Sequence, residues 1–274
     1  MLILAATPIG NLSDASKRLI EALTEAKTIA AEDTRMVQKL AQGLGIKLQA
    51  RLLSLNEHNE REKVSQLVEL ALVEDLLLVS DAGMPTISDP GFVLVREMVR
   101  AGVEVSVIPG PSAVLAALAV SGLPTDRFSF EGFIPRKESE RLAFFKELAD
   151  EKRTMIFFES PNRLLDTLDS AIAVFGENRQ ASISRELTKK FEETCRGELI
   201  ELLDWAKTEP KGEMVLVISG NTKISTPDLT ELVEIVEALK ASGKSLKEAA
   251  STVAKLAGVS KSELYDQTIA SRAE

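Results

Sequence analysis

The sequence predicts an α/β protein of two subdomains followed by a small all-helical module. Three observations carry this expectation. Short apolar runs of strand length recur through residues 1–220, separated by stretches with helical periodicity. The runs are nearly continuous rather than alternating, the mark of strands buried on both faces, so a parallel or mostly parallel sheet with helices on both sides is expected. Beyond residue 222 helical periodicity takes over.

Residues 2–6 (LILAA) read as the first strand, and 13–26 as a helix with Ser13 as N-cap and Leu19, Ile20 and Leu23 on one face. Further strands fall at 28–31, 51–55, 76–80 and 103–108, with helices at 60–73 and 90–101. Residues 109–124 begin as a turn and continue as a small-residue helix capped by Ser112, and the shift at Pro109–Ser112 is a candidate domain boundary. The second unit offers strands at 128–133, 154–160, 180–187 and 212–220, with helices at 138–150 and 162–175. This gives subdomains at 1–110 and 111–222 and a helical module at 223–274, entered through a linker at 221–229. In the module, Leu246, Ala249, Val253, Leu256, Val259 and Leu264 would share a small core, the layout of a helix-turn-helix or equally of a bundle cap.

Composition sets limits. With 274 residues, 45% of them hydrophobic, the chain has material for two or three domains. The longest apolar runs are strand-sized, so no membrane span is expected. The opening MLILAATPIG lacks a basic n-region and does not read as a signal peptide. A single cysteine, Cys195, leaves no intramolecular disulfide and points to the cytoplasm. One Cys and one His, His58, make a His/Cys zinc centre a poor expectation, and no metal is expected. The formal net charge of −9 argues against bulk attraction to nucleic acid, so an RNA partner would need a local basic patch. The module does not supply one: it has seven Lys/Arg against eight Asp/Glu.

Ligands of open α/β sheets sit beyond the carboxyl ends of the strands. Four turn-rich loops fall there, at 6–14, 80–91, 109–113 and 159–163. Their glycines, Gly10, Gly83 and Gly110, let a ligand approach the backbone. No GxxxxGK[ST], no GxGxxG after the first strand and no GxSxG occurs, which disfavours nucleotide hydrolysis, dinucleotide binding and a serine-nucleophile hydrolase.

The motifs TPIGNLSD, AEDTR, HNE, SDAGMPTISDPG, PGPSA, GLPTDRFSFEGF, FFESPNRLLDTL, SRELTKKFEE and GEMVLVISG, in this order over residues 1–220, resemble the tetrapyrrole-methylase-like class of S-adenosylmethionine-dependent methyltransferases. Within it the resemblance is to the branch that 2′-O-methylates a cytidine ribose in the decoding region of small-subunit rRNA. The resemblance implies two α/β subdomains with the cofactor, S-adenosylmethionine, in the cleft between them, and a homodimer. It carries Pro8, Gly83, Met84, Ile87, Ser112, Ala113, Phe158 and Glu186 into the cofactor site. Met84 stands where the family more often has threonine, a change that backbone-held binding would tolerate.

Methyl transfer from a sulfonium needs alignment of the acceptor and a group to take its proton. Glu57, His58, Asp89 and Glu159 are the candidates. His58 alone titrates near neutrality when unperturbed, Asp89 would also suit a helix N-cap, and Glu159 would also pair with Arg163. Arg136, Lys137, Arg141, Arg163, Arg185, Lys189 and Lys190 are candidate phosphate contacts for RNA. Three alternatives stay open: a methyltransferase of the same fold acting on a tetrapyrrole or other small acceptor, a DNA-binding regulator with a metabolite-sensing body, and an α/β binding protein without catalysis.

Overall fold

The computed structural model describes residues 1–208, 210–221, 229–257 and 259–271. Most of the expected linker, 222–228, lies outside them.

The first sheet grows from the apolar runs. β1 (Leu2–Ala5), β2 (Thr28–Ala31), β3 (Arg51–Ser54), β4 (Leu76–Val79) and β5 (Val105–Ile108) pair in parallel in the order β3-β2-β4-β1-β5. Side-chain alternation sorts each strand onto two cores. Leu76 and Leu78 pack with α3 (Glu60–Val73) and α4 (Phe92–Arg100) through Leu67, Leu94 and Met98. Leu77 and Val79 pack with α1 (Lys17–Glu25) and α2 (Thr34–Gly43) through Leu19, Leu23 and Val37. Both faces are covered, which is why these strands read as unbroken apolar runs.

Two local expectations are corrected. Ser13 is not the cap of α1: residues Leu12–Asp14 form a 3₁₀ turn, and Ser16 Oγ accepts the Leu19 N–H instead. Nor does Asp89 cap α4. Gly91 stands at that N-cap, and the Gly91 and Leu94 N–H groups donate to Oε1 of the buried Glu60, at 3.0 and 3.1 Å.

β5 ends at Ile108 and α5 (Ala113–Ser121) begins five residues on, with Ser112 as its N-cap. α5 packs against the second sheet: Val114, Ala117 and Leu118 share a core with Ile156, Val215 and Val217. That sheet contains β6 (Phe128–Phe133), β7 (Thr154–Glu159), β8 (Gln180–Arg185), β9 (Glu193–Glu198) and β10 (Met214–Ile218), ordered β6-β7-β10-β8-β9. Only β6–β7 is parallel, and the other three pairs are antiparallel. Its other face is covered by α6 (Glu138–Glu147), α7 (Leu164–Phe175) and α8 (Leu199–Ala206), around Phe145, Phe157 and Leu168.

The chain divides into two compact units, Met1–Gly220 and Asn221–Glu274. The second holds α9 (Leu229–Ala241), α10 (Leu246–Ala257) and α11 (Lys261–Ala270). Val236, Ala249, Val253 and Leu264 form its core, with Leu246 and Val259 partly buried against them. Leu256, expected in that core, is instead 84% exposed. Among the described residues no helix is long and apolar enough to cross a membrane.

Candidate active site

Neighbouring strands β1 and β4 send the chain to opposite faces of the first sheet, β1 towards α1 and β4 towards α4. A crevice opens where such paths diverge. The two loops that leave it are tied together: the Thr7 N–H donates to the Gly83 carbonyl at 2.8 Å, and the Gly83 N–H to the Thr7 carbonyl at 3.2 Å. Ser80 Oγ adds a bond to the Gly83 carbonyl at 3.0 Å. Gly83 has φ +83°, a conformation that glycine adopts without a Cβ penalty. Ile9, at the end of the first loop, is buried among Val114, Ile156, Leu187 and Val217, so this loop also seats the second sheet.

A cavity of about 680 Å³ lies here. Loops of the first sheet contribute Ile9, residues 81–84 and 87–89; the chain beyond β5 contributes 112–114, Phe133, 158–161, Glu186, Leu187, Lys189 and 212–215. Four non-glycine residues of the described chain have positive φ: Thr86, Ser88, Glu186 and Thr188, at +51° to +77°. Ser88 and Glu186 line the cavity, and each of the other two is two residues from one of them. Such conformations cost about 1–3 kcal/mol each and persist where the surrounding structure enforces them.

The walls are acidic. Asp81, Asp89, Glu159, Glu186 and Glu213 line the cavity, with Lys189 as the cation among its described lining residues. Lys189 Nζ is 2.9 Å from both Glu186 and Glu213. The Lys189 hydrogen bond holds the Glu186 carboxyl below the usual range. On the other wall burial, then the charges of Glu32 and Asp81, push Asp89 up to about 7 against a hydrogen bond from Ser80. Asp81 is raised by burial and by Asp33; Glu32 is raised by burial and by Asp81, Glu57 and Asp33. Among the described residues no group of three or more His, Cys, Asp or Glu is arranged to hold a metal ion.

The structure brings together most of the sequence-derived candidates for the cofactor. Gly83, Met84, Ile87, Ser112, Ala113, Phe158 and Glu186 all line the cavity. Pro8 does not; it is buried between Thr7 and Ile9. The four proton-acceptor candidates separate. Glu57 and His58 lie in the turn after edge strand β3, away from the cavity lining. Glu159 is 4% exposed and already engaged: Oε1 accepts the Ser160 N–H at 2.7 Å, and Oε2 accepts Thr167 Oγ1 at 2.6 Å and Arg163 Nη2 at 3.2 Å. Asp89 remains, half-buried on the wall.

The cationic candidates also separate. Arg141 is 4% exposed and serves the fold, donating to Ser170 Oγ and to the Arg136 carbonyl. Arg163 clamps the chain after β6 through the carbonyls of Ile134 and Pro135. Arg185 pairs with Glu193, and Lys137 with Glu140. Arg136 is exposed, as is Lys190, whose ammonium lies 5.5 Å from the Phe191 ring centroid. Lys189, expected on RNA, borders the cavity instead.

Sequence reasoning missed Asp81, Glu32 and the 212–215 wall. The first two carried a usable signal, an acidic residue directly after a strand run, within SDAG and AEDTR. The third carried none, because Gly212 reaches Glu186 only through antiparallel pairing of β8 with β10.

The family model for tetrapyrrole (corrin/porphyrin) methylases matches residues 1–203. The chain belongs to that family. Among curated proteins it is 47% identical to ribosomal RNA small subunit methyltransferase I of Mycobacterium tuberculosis (strain CDC 1551 / Oshkosh), over 100% of this chain and 96% of the relative. It is 44% identical to the protein of the same name from Escherichia coli O157:H7, over 96% and 93%. Among solved structures it is similar to diphthine synthase, with TM-score 0.63, 18% identity, and 81% and 90% of the two chains covered. A cobalt precorrin-4 methyltransferase gives TM-score 0.55 at 21% identity, covering 79% and 93%. At those identities the structural likeness speaks for the fold.

Proposed function

We propose that this chain is an S-adenosylmethionine-dependent methyltransferase acting on the 2′-oxygen of a cytidine ribose in small-subunit rRNA. The observation that carries the reading is Asp89, a half-buried carboxyl that burial pushes up to about 7, on the wall of a cavity of about 680 Å³, within the range of small-molecule cofactor sites. The printed name of relatives that match along the whole chain supports rRNA as substrate.

The residues present fit the donor. Apolar Ile9, Met84, Ile87, Val114 and Val215 suit an adenine and a methionine side chain, and the carboxylate excess suits a ligand of net positive charge. When bound, the donor supplies a methyl group already activated by the positive charge of its sulfonium. The chain's own contribution is placement and proton acceptance. The Thr7–Gly83 bridge fixes the two loops that would grip the donor, so little ordering is left for the moment of binding. The buried side chains of Val114 and Leu187 hold water back from the reacting centre. Asp89 takes the proton of the incoming hydroxyl; as a base tuned to about 7, it is present in both forms at neutral pH. Arg136 and Lys190 are the cations left for the RNA strand once Arg141 and Arg163 are assigned to the fold and Lys137, Arg185 and Lys189 to their ion pairs. A homodimer in the cytoplasm completes the reading. The exposed Phe92 and Val99, seven residues apart on α4, offer an apolar stripe for a second copy.

The test is methyl transfer from labelled donor into small ribosomal subunits that lack the modification, with the labelled nucleotide mapped. Label on a cytidine 2′-oxygen, with a rate that rises through pH 7, is expected. Label on a porphyrinoid and none on the subunits would overturn the substrate and favour the small-acceptor alternative.

A further inference from the structure

Phe133 is the last residue of β6 and borders the cavity, yet it is 63% exposed. A ring that size left open at a cavity rim asks for a partner. Its position is set by an irregularity. Simple alternation along β6 would put Phe130 and Phe133 on opposite faces of the sheet. The pairing with β7 slips between Phe130 and Gly132: Phe130 faces Ile156, Gly132 faces Phe157 and Phe133 faces Phe158, so Glu131 is the extra residue of a β-bulge. Gly132 takes φ +75° to allow it. Both rings therefore meet Phe158, edge-on at 62°, with centroids 4.8 Å away for Phe130 and 5.3 Å for Phe133.

The backbone immediately after Phe133 is held still. Ile134 is 2% exposed, and the Arg163 guanidinium, anchored on Glu159, donates to the carbonyls of Ile134 and Pro135. The ring is thus an open aromatic face on a pinned backbone. The next exposed cation along the chain, Arg136, is three residues away, and Lys189 lies on the same cavity.

We propose that Phe133 is the stacking platform for an unpaired nucleobase of the acceptor strand, holding the nucleotide at the cavity mouth while its sugar faces the methyl donor. This rests on rRNA being the substrate. Sequence-specific RNA recognition uses unstacked bases laid on aromatic side chains, and a prefixed ring makes the contact at low entropic cost. Phe158 beneath it completes a two-ring wall, with Arg136 placed for a flanking phosphate.

The experiment uses the full chain, unmodified small subunits and labelled donor. Phe133→Ala is expected to raise KM for the subunits by about 5- to 150-fold, the range for loss of one stacked base. Donor affinity by calorimetry stays near that of the wild type, and Phe133→Tyr recovers most of the loss. In Phe133→Trp, a short single-stranded RNA should quench the added emission over the Trp205 background, a signal that a purely structural ring would not give. The proposal is overturned if Phe133→Ala methylates subunits as the wild type does. It is equally overturned if donor affinity falls in step with activity, or if the variant loses a dimer that the wild type forms. Wild-type protein that binds donor but leaves subunits unmethylated sinks the rRNA reading and this proposal with it. Active wild type with an indifferent Ala variant sinks the proposal alone.

Discussion

At Asp89 the fold places a carboxylate where it is poorly solvated and faced by the charges of Glu32 and Asp81. In the unfolded chain this group loses its proton near pH 4, in the folded protein near 7. Between those values the folded state holds more protons, so the contribution of Asp89 to stability is present in acid and lost as pH rises through 7. Asp89→Asn is therefore expected to stabilise the protein at pH 8 by about 1 kcal/mol, discounted for the solvent that reaches the group, with little change at pH 4. Denaturant midpoints at the two pH values measure this. The same variant should slow methyl transfer by about 10²–10⁴-fold. Glu60 makes the opposite case, a carboxylate that serves the fold. Its loss leaves the Gly91 and Leu94 N–H groups without their acceptor at the positive end of α4, so Glu60→Ala should cost about 2 kcal/mol in chemical unfolding. A cost under about 0.5 kcal/mol would show that water replaces it without penalty.

At the scale of elements, the bulge in β6 makes its own forecast. A Cβ on Gly132 meets nothing within 4 Å, so Gly132→Ala reports the cost of φ +75° alone, about 1 kcal/mol. Gly110 differs. A Cβ there stands 3.0 Å from the Ala6 side chain, so Gly110→Val should disturb the loop that carries Ser112 into the cavity and weaken donor binding by about tenfold. Calorimetry of the two variants separates strain from crowding.

The elements also show what the sequence discloses. Strands buried on both faces announce themselves, and TIAA at 28–31 ends where its run ends. β9, reading ETCRGE, is hidden because it is an edge strand with little apolar content, whereas α8 (LIELLDWA), also passed over, carried a legible apolar pattern and a capping box. α2 is masked by the acidic AED that precedes it, although Asp33 caps it through the Arg35 N–H. At the site, loops after strands can be marked as ligand-bearing. Which carboxylate is free and which is spent cannot, since Thr167, eight residues from Glu159, consumes it only once α7 packs. A bulge leaves no trace in an alternation pattern, so the direction of Phe133 is illegible in the sequence.

At the scale of the whole molecule, the two compact units have separate cores: the four clusters of the first use residues up to Ile218, and that of the second starts at Leu229. A chain ending at Gly220 is therefore expected to fold and to bind donor within about threefold of the full protein, by thermal melt and calorimetry. A melt without a cooperative transition would show that the first unit needs the second. The acidic cavity carries a further corollary, concerning turnover. Once its methyl group has gone, the spent donor is a neutral thioether in place of a sulfonium, while the carboxylates of Asp81, Glu186 and Glu213 stay where they are. On the proposed reading the wall would hold the charged donor more tightly than its neutral product, a difference that competition calorimetry with the two molecules measures.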